Sequence, residues 1–424
     1  MYQISDAIFP FHESILSPLT YIDTSIYYSK AMPKEVMMHH YYSLTEEEIM
    51  IKEVARKFAE ERVKPVRQEL DEKGEFPHDL MKEIAELDLL RVFIPEEYEG
   101  LGMGIMGMSI ATEEIARIDG AVAICYAANG LGATPIILYG NEEQKKKYLP
   151  KVASGEMTAA FALTEPEAGS DASNVKTRAV KDGDHYILNG SKIFITNGGE
   201  ADVYVVIAST SPERGARGLS AFIVEKGTPG FSFGKKENKM GIRASTTREL
   251  VFEDCKIPAE NLLGKEGFGF IITMKTFDKT RVGVAAQALG IAQGAFEEAA
   301  NYAKTRVQFG KKIIEFQGIQ FMLADMATQI EAARALTYTA ARYVDSGAKD
   351  IGKISAMAKM YASDVAMKVT VDAVQIFGGY GYMKEYPVEK MMRDAKITQI
   401  YEGTNQIQRL VIASHIIKEA MGSE

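Results

Sequence analysis

A glutamate between small and polar residues near the end of the chain is the first candidate for chemistry. Residues 401–406 read YEGTNQ and connect the charged segment 392–396 to a final helical segment. A carboxylate at Glu402 could act as a general acid or base, and Thr404 could cap the helix that follows. A single glutamate in a loop is more often solvated or capping. Its spacing therefore does not by itself assign Glu402 a catalytic role.

Three other segments carry residues suited to a polar or phosphorylated ligand. They are 164–171 (TEPEAGSD), 306–310 (RVQFG) and 375–379 (QIFGG). Glycine and serine in the first let backbone N–H groups and hydroxyls approach a ligand closely. Arg306 can hold a phosphate with two parallel hydrogen bonds, and paired glycines admit a flat or charged ligand. Ordinary turns and helix C-caps explain the same residues, so both interpretations stay open at this point.

A further segment, 102–107, matches the pattern G-x-G-x-x-G. In dinucleotide-binding folds this pattern joins a strand to a helix, and a carboxylate follows about twenty residues later. The corresponding stretch here, 121–128, is apolar, and no strand–helix–strand unit follows. We therefore interpret 102–107 as a flexible loop between helices.

The elements that must position these segments are helices on either side of a run of strands. Helical periodicity predicts helices over 45–63, 77–90, 107–118, 121–131 and 142–153. Segments rich in β-branched and aromatic residues predict strands over 158–163, 175–180, 186–188, 192–195, 203–208, 219–224 and 249–252, with turns at 182–183, 189–190 and 197–198. Helices return over 267–305, 316–346, 350–377, 387–397 and 404–421. The predicted domains are 44–156, 157–264 and 265–424.

Residues 1–43 differ from the rest of the chain, since they are rich in tyrosine and lack clear periodicity. We interpret them as an extension outside the folded core. Two explanations stay open: a start codon upstream of Met37 or Met38, and an arm that contacts another subunit. The first fifty-five residues contain no arginine, which argues against a mitochondrial transit peptide, and their early acidic residues argue against a secretory signal.

Composition excludes several classes of function. The net charge is −9, whereas a nucleic-acid-binding protein needs a basic surface. Cys125 and Cys255 are far apart and have no neighbouring His or Cys at ligand spacing, so we expect neither a disulfide nor a metal site. No run approaches the roughly 18 uninterrupted apolar residues of a membrane span. We therefore expect a cytoplasmic protein without a membrane span, in which Cys125 fills the core.

Taken together and in this order, the segments resemble the acyl-CoA dehydrogenase family over residues 44–421. The match rests on 161–171, on 189–197 (NGSKIFITN), and on the segments that begin at residues 306, 375 and 401. The resemblance implies an α+β fold with an N-terminal α-helical domain, a middle antiparallel β domain and a C-terminal four-helix-bundle-like domain. It also implies a homo-oligomer, usually a tetramer, and a bacterial enzyme similar to the short-chain and medium-chain members.

The same resemblance implies roles for individual residues. FAD would be bound by Phe161, Leu163, Thr164, Ser170, Phe194, Thr196, Arg306, Gln308, Phe309, Gln375, Gly378, Gly379, Gly403, Thr404 and Gln406, partly across a subunit interface. The acyl-CoA substrate would contact Ser170, Asp278, Arg281, Tyr401 and Glu402. Glu402 lies where most of the family carries its catalytic base. A minority branch places the glutamate at the position of Thr280, so this chain follows the majority.

The implied reaction removes two hydrogens from an acyl-CoA thioester to give a trans-2-enoyl-CoA. Glu402, desolvated in a dry pocket, would take the α-proton, and the β-hydrogen would pass as hydride to flavin N5. Hydrogen bonds to the thioester carbonyl from the Glu402 N–H and a flavin hydroxyl would stabilise the enolate. Electrons would then pass to an electron-transfer flavoprotein.

Several alternatives share the same residues. An acyl-CoA oxidase is usually a longer chain, a nitroalkane oxidase has Asp where this chain has Glu402, and a CoA-ester reductase would use the same residues in reverse. A non-catalytic paralogue that binds FAD or CoA belongs to a different class, and the presence of Glu402 counts against it. In medium-chain relatives a glutamate floors the acyl pocket near residue 127, where this chain has Ala127 and Ala128. We expect extra room there, for longer, branched or ring-bearing acyl groups.

Overall fold

A computed structural model describes residues 42–422 of the protein. The predicted extension over 1–43 lies outside the described residues except for its last two. The residues from Glu46 onward form one compact unit.

Helices come first in this unit. They are α1 (Glu46–Phe58), α2 (Arg67–Lys73), α3 (His78–Glu86), α4 (Gly104–Ala116), α5 (Gly120–Tyr139) and α6 (Glu142–Ser154). The periodicity located all but the short α2, and α1 continues as a π-helical turn over Ala59–Val63. The interpretation of 102–107 as a loop is wrong for its last four residues, because α4 begins at Gly104. A 3-10 turn, Leu89–Arg91, precedes the segment, so the strand that a dinucleotide site requires is absent there.

Helix α5 runs through the interior of the protein. The Asp119 carboxylate accepts hydrogen bonds from the backbone N–H groups of Ala121 and Val122, which caps its N-terminus. By length and composition alone this helix could cross a membrane. However, 83% of its apolar 18-residue stretch is buried inside the protein. Cys125 is fully buried on this helix, and burial raises the pKa of its thiol to about 12. Both cysteines are free and buried.

The middle of the chain forms an eight-stranded sheet. Its strands are β1 (Ala159–Ala162), β2 (Arg178–Asp182), β3 (His185–Thr196), β4 (Val203–Ser209), β5 (Leu219–Glu225), β6 (Phe231–Lys236), β7 (Thr247–Pro258) and β8 (Leu262–Leu263). The order is β6-β7-β3-β2-β4-β5-β8, with β1 paired to β4. Most neighbours are antiparallel, as predicted, but β1 and β2 each pair with β4 in parallel.

The predicted turn at 189–190 is wrong, because both residues lie inside the continuous strand β3. Gly190 has φ +142°, and the register of β3 against β7 shifts between Leu188 and Gly190. An Asn-Gly pair is the usual signal of a two-residue hairpin, but here its glycine serves a β-bulge. The turns at 182–183 and 197–198 are confirmed, since β2 ends at Asp182 and β3 ends at Thr196.

Long helices complete the fold. A small hairpin of β9 (Val307–Gln308) and β10 (Lys311–Lys312) separates the first of them from the other four. The helices are α7 (Gly269–Thr305), α8 (Gln317–Asp345), α9 (Gly352–Phe377), α10 (Val388–Thr398) and α11 (Asn405–Ala420). Each lies within two residues of its predicted bounds. Helix α7 is the central one, because it contacts α4, α5, α8, α9 and α10.

Candidate active site

Glu402 lies in the short loop between α10 and α11, with its side chain turned toward α7. The Thr280 hydroxyl donates a hydrogen bond of 2.7 Å to Glu402 Oε2, and Arg281 Nε donates one of 3.3 Å to the Glu402 carbonyl oxygen. Glu402 has φ +50°, which is uncommon for a residue other than glycine. Such backbone strain often marks functional sites, where the surrounding structure holds it in place.

Three groups hold this loop. Thr404 Oγ1 accepts a hydrogen bond from the Ile407 N–H, so the predicted helix cap is confirmed. Gln408 Nε2 donates to the carbonyl oxygens of Glu402 (3.1 Å) and Gly403 (2.8 Å). Lys359 of α9 donates to the Gly403 carbonyl oxygen at 2.8 Å and to Asn405 Oδ1 at 3.0 Å. No sequence signal singled out Lys359, because a lysine in a long helix is normally exposed, whereas this one is fully buried.

Burial controls the charges of this cluster. It raises the pKa of the Glu402 carboxyl, although the Thr280 hydrogen bond and the charges of Arg281 and Lys359 act in the opposite direction. Burial also lowers the pKa of Lys359 to about 7. Glu402 is therefore a carboxylate with increased proton affinity next to a lysine that titrates near neutral pH. A general base at neutral pH needs this kind of tuning.

Glu402 lines a partly enclosed cavity of about 100 Å³, which we call the glutamate cavity. Its walls come from α4, α5, the β1 and β3 segments, α7 and the Glu402 loop. They are formed by Met108, Ile124, Ala127, Ala128, Leu131, Phe161, Leu163, Thr164, Phe194, Ile195, Thr196, Phe277, Thr280, Gly283, Val284, Tyr401 and Glu402. Most of this wall is apolar or aromatic, so a ligand here would be shielded from water.

The glutamate cavity brings together seven of the residues named from the sequence. Phe161, Leu163, Thr164, Phe194, Thr196, Tyr401 and Glu402 all line it. Phe194 has φ +58° and is 58% exposed, so its ring presents a free face. The Tyr401 hydroxyl donates a hydrogen bond to Gln287 Oε1, which fixes the ring beside the glutamate. Ala127 and Ala128 also line the cavity, as expected from the sequence.

A buried ion pair supports the 164–171 segment. Lys192 Nζ lies 2.6 Å from Glu165 Oε1 and donates a hydrogen bond of 2.9 Å to the Leu163 carbonyl oxygen. Glu165 also accepts hydrogen bonds from the backbone N–H groups of Lys176 and Thr177. Lys192 is fully buried, and burial lowers its pKa to about 8. Both residues lie within the motifs described above, but no local pattern predicts that they pair.

A second cavity, of about 450 Å³, lies where the hairpin after α7 meets the end of α9. We call it the arginine cavity. It is lined by Tyr302, Arg306, Gln308, Ile313, Ile376, Phe377, Gly378, Gly379, Tyr380 and Met383. The Arg306 guanidinium lies over the Tyr380 ring, 5.3 Å from its centroid. A Cβ at Gly378 or Gly379 would meet no atom within 4 Å in this chain, so both glycines present open backbone, and Gly378 has φ +62°.

The remaining named residues line neither of these two cavities. Ser170, Gln375 and Gln406 are exposed, and Phe309 is 95% exposed with φ +52°. Gly403 and Thr404 shape the Glu402 loop. Asp278 and Arg281 lie 3.5 Å apart beside it, and burial raises the pKa of the Asp278 carboxyl. Most of the cofactor residues named from the sequence thus line one of the two cavities. The others line neither cavity: Ser170, Phe309, Gln375 and Gln406 are exposed, and Gly403 and Thr404 belong to the Glu402 loop.

These residues suit the two ends of FAD. A flavin ring needs apolar and aromatic walls with hydroxyl groups at its edge, and Phe194, Thr164 and Thr196 supply them. A diphosphate needs an arginine and backbone without side chains, which Arg306, Gly378 and Gly379 provide. The residues of the two cavities therefore fit the two ends of FAD.

Comparison with known proteins decides the family. Acyl-CoA dehydrogenase domain models match this chain over residues 45–156 (N-terminal domain), 160–255 (middle domain) and 267–417 (C-terminal domain). An acyl-CoA dehydrogenase of Bacillus subtilis is 52% identical over 375 residues, which are 88% of this chain and 99% of that protein. The chain belongs to the acyl-CoA dehydrogenase family.

Solved structures of similar acyl-CoA dehydrogenases agree with this assignment. Butyryl-CoA dehydrogenase from Megasphaera elsdenii is 51% identical, with a TM-score of 0.87 over 88% of this chain and 99% of that one. A chain in a structure of the electron transferring flavoprotein of Acidaminococcus fermentans is 54% identical, with the same TM-score and coverage. The predicted resemblance and α+β fold class are confirmed. As a member of this family the protein is a flavoprotein oxidoreductase.

Proposed function

We propose that this protein converts an acyl-CoA thioester to the trans-2-enoyl-CoA, with Glu402 as the base that removes the α-proton. The observation that carries the proposal is the position of the Glu402 carboxylate. It lies at a partly enclosed, largely apolar cavity, is held there by the Thr280 hydrogen bond of 2.7 Å, and has a pKa raised by burial. The α-proton of a thioester is weakly acidic, so a solvated carboxylate would be too weak a base.

The chain's own residues account for the proton transfer. Exclusion of water from the glutamate cavity raises the proton affinity of Glu402, and the Thr280 hydrogen bond fixes the direction of its Oε2. The Glu402 backbone N–H is the chain's donor for the thioester carbonyl, where negative charge develops as the α-proton leaves. Ala127, Ala128 and Leu131 form an apolar wall for the acyl chain.

FAD, when bound, would accept the β-hydrogen as hydride at flavin N5, which completes the loss of two hydrogens. Phe161, Leu163, Thr164, Phe194 and Thr196 would hold the flavin end next to Glu402. Arg306, Gln308, Gly378 and Gly379 would bind the pyrophosphate and adenosine end, with Phe309 and Gln375 reaching it from a neighbouring subunit. Ser170, Gly403, Thr404 and Gln406 complete the proposed cofactor set.

The proposal also covers the substrate contacts, the oligomer, the electron acceptor and the location of the protein. Asp278, Arg281, Ser170 and Tyr401 would contact the substrate beside Glu402. We infer a homo-oligomer, because Phe309 and Gln375 are exposed in a single chain although the family resemblance assigns them to FAD. The similarity to a chain from a structure of an electron transferring flavoprotein supports such a flavoprotein as the electron acceptor. A cytoplasmic location belongs to the same proposal.

The test is anaerobic titration of the purified flavoprotein with a panel of acyl-CoAs, followed at the flavin absorption band. Wild type and Glu143→Gln, an exposed glutamate on α6, should both bleach with the preferred substrate. Glu402→Gln should bind FAD and fail to bleach. Bleaching of Glu402→Gln at the wild-type rate would overturn Glu402 as the base. Flavin that no thioester reduces in wild type would overturn the reaction.

A further inference from the structure

A third cavity, of about 390 Å³, lies beyond the glutamate cavity, and we call it the outer cavity. It is lined by Phe93, Pro95, Glu96, Glu97, Gly102, Gly104, Ile105, Met108, Thr134, Ile137, Leu138, Lys279 and Asp345. Most of these residues are apolar or small, whereas Glu96, Glu97, Lys279 and Asp345 are charged. Met108 also lines the glutamate cavity, and the proposed reaction gives a role to none of these residues.

The two cavities follow one another along the same helices. On α5, Ile124, Ala127, Ala128 and Leu131 line the glutamate cavity. Thr134, Ile137 and Leu138 continue at helical spacing and line the outer cavity. On α7, Lys279 lines the outer cavity and its neighbour Thr280 lines the glutamate cavity. Met108 of α4 lines both the glutamate cavity and the outer cavity.

The Met108 side chain fills a gap that two glycines leave between α5 and α7. A Cβ at Gly130 of α5 would lie 2.6 Å from Met108 Cε and 2.8 Å from Met108 Sδ. A Cβ at Gly283 of α7 would lie 3.5 Å from Met108 Cε, which is the nearest atom to it. The end of the methionine therefore occupies space that any side chain at Gly130 would take.

Methionine suits a movable partition better than other apolar residues. It is unbranched, has three rotatable bonds and adapts to irregular spaces at low cost. Rotation about its terminal bonds would move Sδ and Cε out of the gap without shifting α4. The glutamate cavity, about 100 Å³, would then open into the outer cavity of about 390 Å³.

We propose that Met108 is the gate that sets acyl-chain length, and that the outer cavity receives the tail of longer acyl chains. This inference rests on the proposed function, since it concerns the same substrate. With Met108 in place, the glutamate cavity holds a short acyl group. A longer chain displaces the thioether and passes between Gly130 and Gly283 into the apolar part of the outer cavity. The charged residues there define how far an apolar tail can reach.

The experiment measures the binding of straight-chain acyl-CoAs of increasing length. Affinity is measured by calorimetry on the flavin-loaded protein in a Glu402→Gln background, so that no substrate is consumed. Met108→Ala removes the gate and Met108→Phe blocks the gap. The control is Met326→Ala, because Met326 is equally buried on α8 and lines none of the three cavities. The kcat/KM for each chain length is measured in parallel with Glu402 intact.

Each methylene buried in a continuous channel should tighten binding by about fourfold. We expect this gain to continue to longer chains in Met108→Ala than in wild type, and to stop earlier in Met108→Phe. Met326→Ala should keep the wild-type profile. A Met108→Ala profile identical to that of wild type would overturn the gate. If Met108→Ala does not fold, Met108→Phe tests the gate instead. A chain-length profile in Met108→Phe that equals that of wild type would also overturn the gate.

The outcome separates the gate from the proposed function. If wild type binds short thioesters and the Met108 variants leave the profile unchanged, only the gate is overturned. If wild type binds and oxidises no thioester of any length, the proposed function is overturned and the gate with it.

Discussion

The glutamate cavity and the arginine cavity are built in contrasting ways. The first is lined by six segments of one chain and is partly enclosed, and hydrogen bonds from Thr280, Arg281 and Gln408 fix its glutamate. The second is more open, since a Cβ at either Gly378 or Gly379 would meet no atom within 4 Å and the nearby Phe309 is 95% exposed. On the proposed function, a single chain therefore supplies all the residues needed for proton transfer. For the other end of the cofactor it would supply only part of the site.

This contrast implies that changes in the two regions have different signatures. A change in the glutamate cavity should alter the chemical step while leaving FAD bound. A change in the arginine cavity should weaken FAD binding while the cofactor that remains bound still reacts. The predictions below test this division, from the largest expected effect to the smallest.

The largest effect should come from moving the base. Glu402→Gly should lower kcat by about 10²- to 10⁴-fold, the usual contribution of a general base. Thr280 already lies 2.7 Å from the Glu402 carboxylate, so the double variant Thr280→Glu, Glu402→Gly places a carboxylate at the same wall. We expect the double variant to recover a large part of the lost rate in stopped-flow flavin reduction. A double variant that binds FAD and is no faster than Glu402→Gly would refute this geometry.

The arginine cavity should respond in FAD affinity. Loss of a hydrogen bond to a charged group costs about 1.5–3 kcal/mol, so Arg306→Ala should weaken FAD binding by about one to two orders of magnitude. Fluorescence titration of the apoprotein with FAD measures this loss. Arg409→Ala is the control, since Arg409 is an arginine of α11 that pairs with Asp364. Equal FAD affinity in wild type and Arg306→Ala would show that this cavity does not hold the phosphates.

Lys359 should set the pH dependence. Its charge lowers the pKa of Glu402, and Lys359 is itself protonated below its pKa of about 7. Activity should rise as pH increases through the Glu402 pKa, because the base must be ionised. Lys359→Met removes the opposing charge, so the Glu402 pKa should rise and the acid limb of kcat/KM should move to higher pH. Lys359→Arg should keep the limb near its wild-type position. An acid limb that does not move, or that moves to lower pH, would contradict this role.

The smallest effect should come from the acyl wall. Ala127→Leu adds bulk inside the glutamate cavity, so it should shorten the preferred acyl chain while leaving the shortest substrates nearly unaffected. The relevant scale is about 0.8 kcal/mol for each methylene that no longer fits. The kcat/KM profile over chain length measures the change. The conservative control is Ala153→Ser on α6, away from this cavity, and an unchanged Ala127→Leu profile would reject Ala127 as part of the floor.

Local sequence patterns predicted most elements of the fold. The bounds of α7 to α11 agree with the periodicity, because long amphipathic or buried helices leave a strong signal. The errors occurred where local signals have two meanings. Asn189-Gly190 looks like a hairpin turn, but pairing with β7 keeps β3 continuous and turns the glycine into a bulge. Strand β6 was missed, because its sequence ends in glycine and two lysines.

The site was predictable only in part, since motifs locate a residue along the chain but do not show its neighbours. Glu402 and the β1 and β3 residues were named from motifs, and the structure places them around one cavity. The contacts that tune them come from distant segments. Lys359 and Glu402 are far apart in sequence, as are Lys192 and Glu165, and no local pattern marks either pair.

The most direct test of the central claim separates proton removal from redox chemistry. A thioester without β-hydrogens cannot be dehydrogenated, so exchange of its α-hydrogen for deuterium in D2O reports the base alone. Mass spectrometry of the recovered thioester should show rapid α-deuteration with the wild-type flavoprotein and none above background with Glu402→Gln. Equal deuteration by both proteins would show that another group removes the α-proton, and would contradict the account.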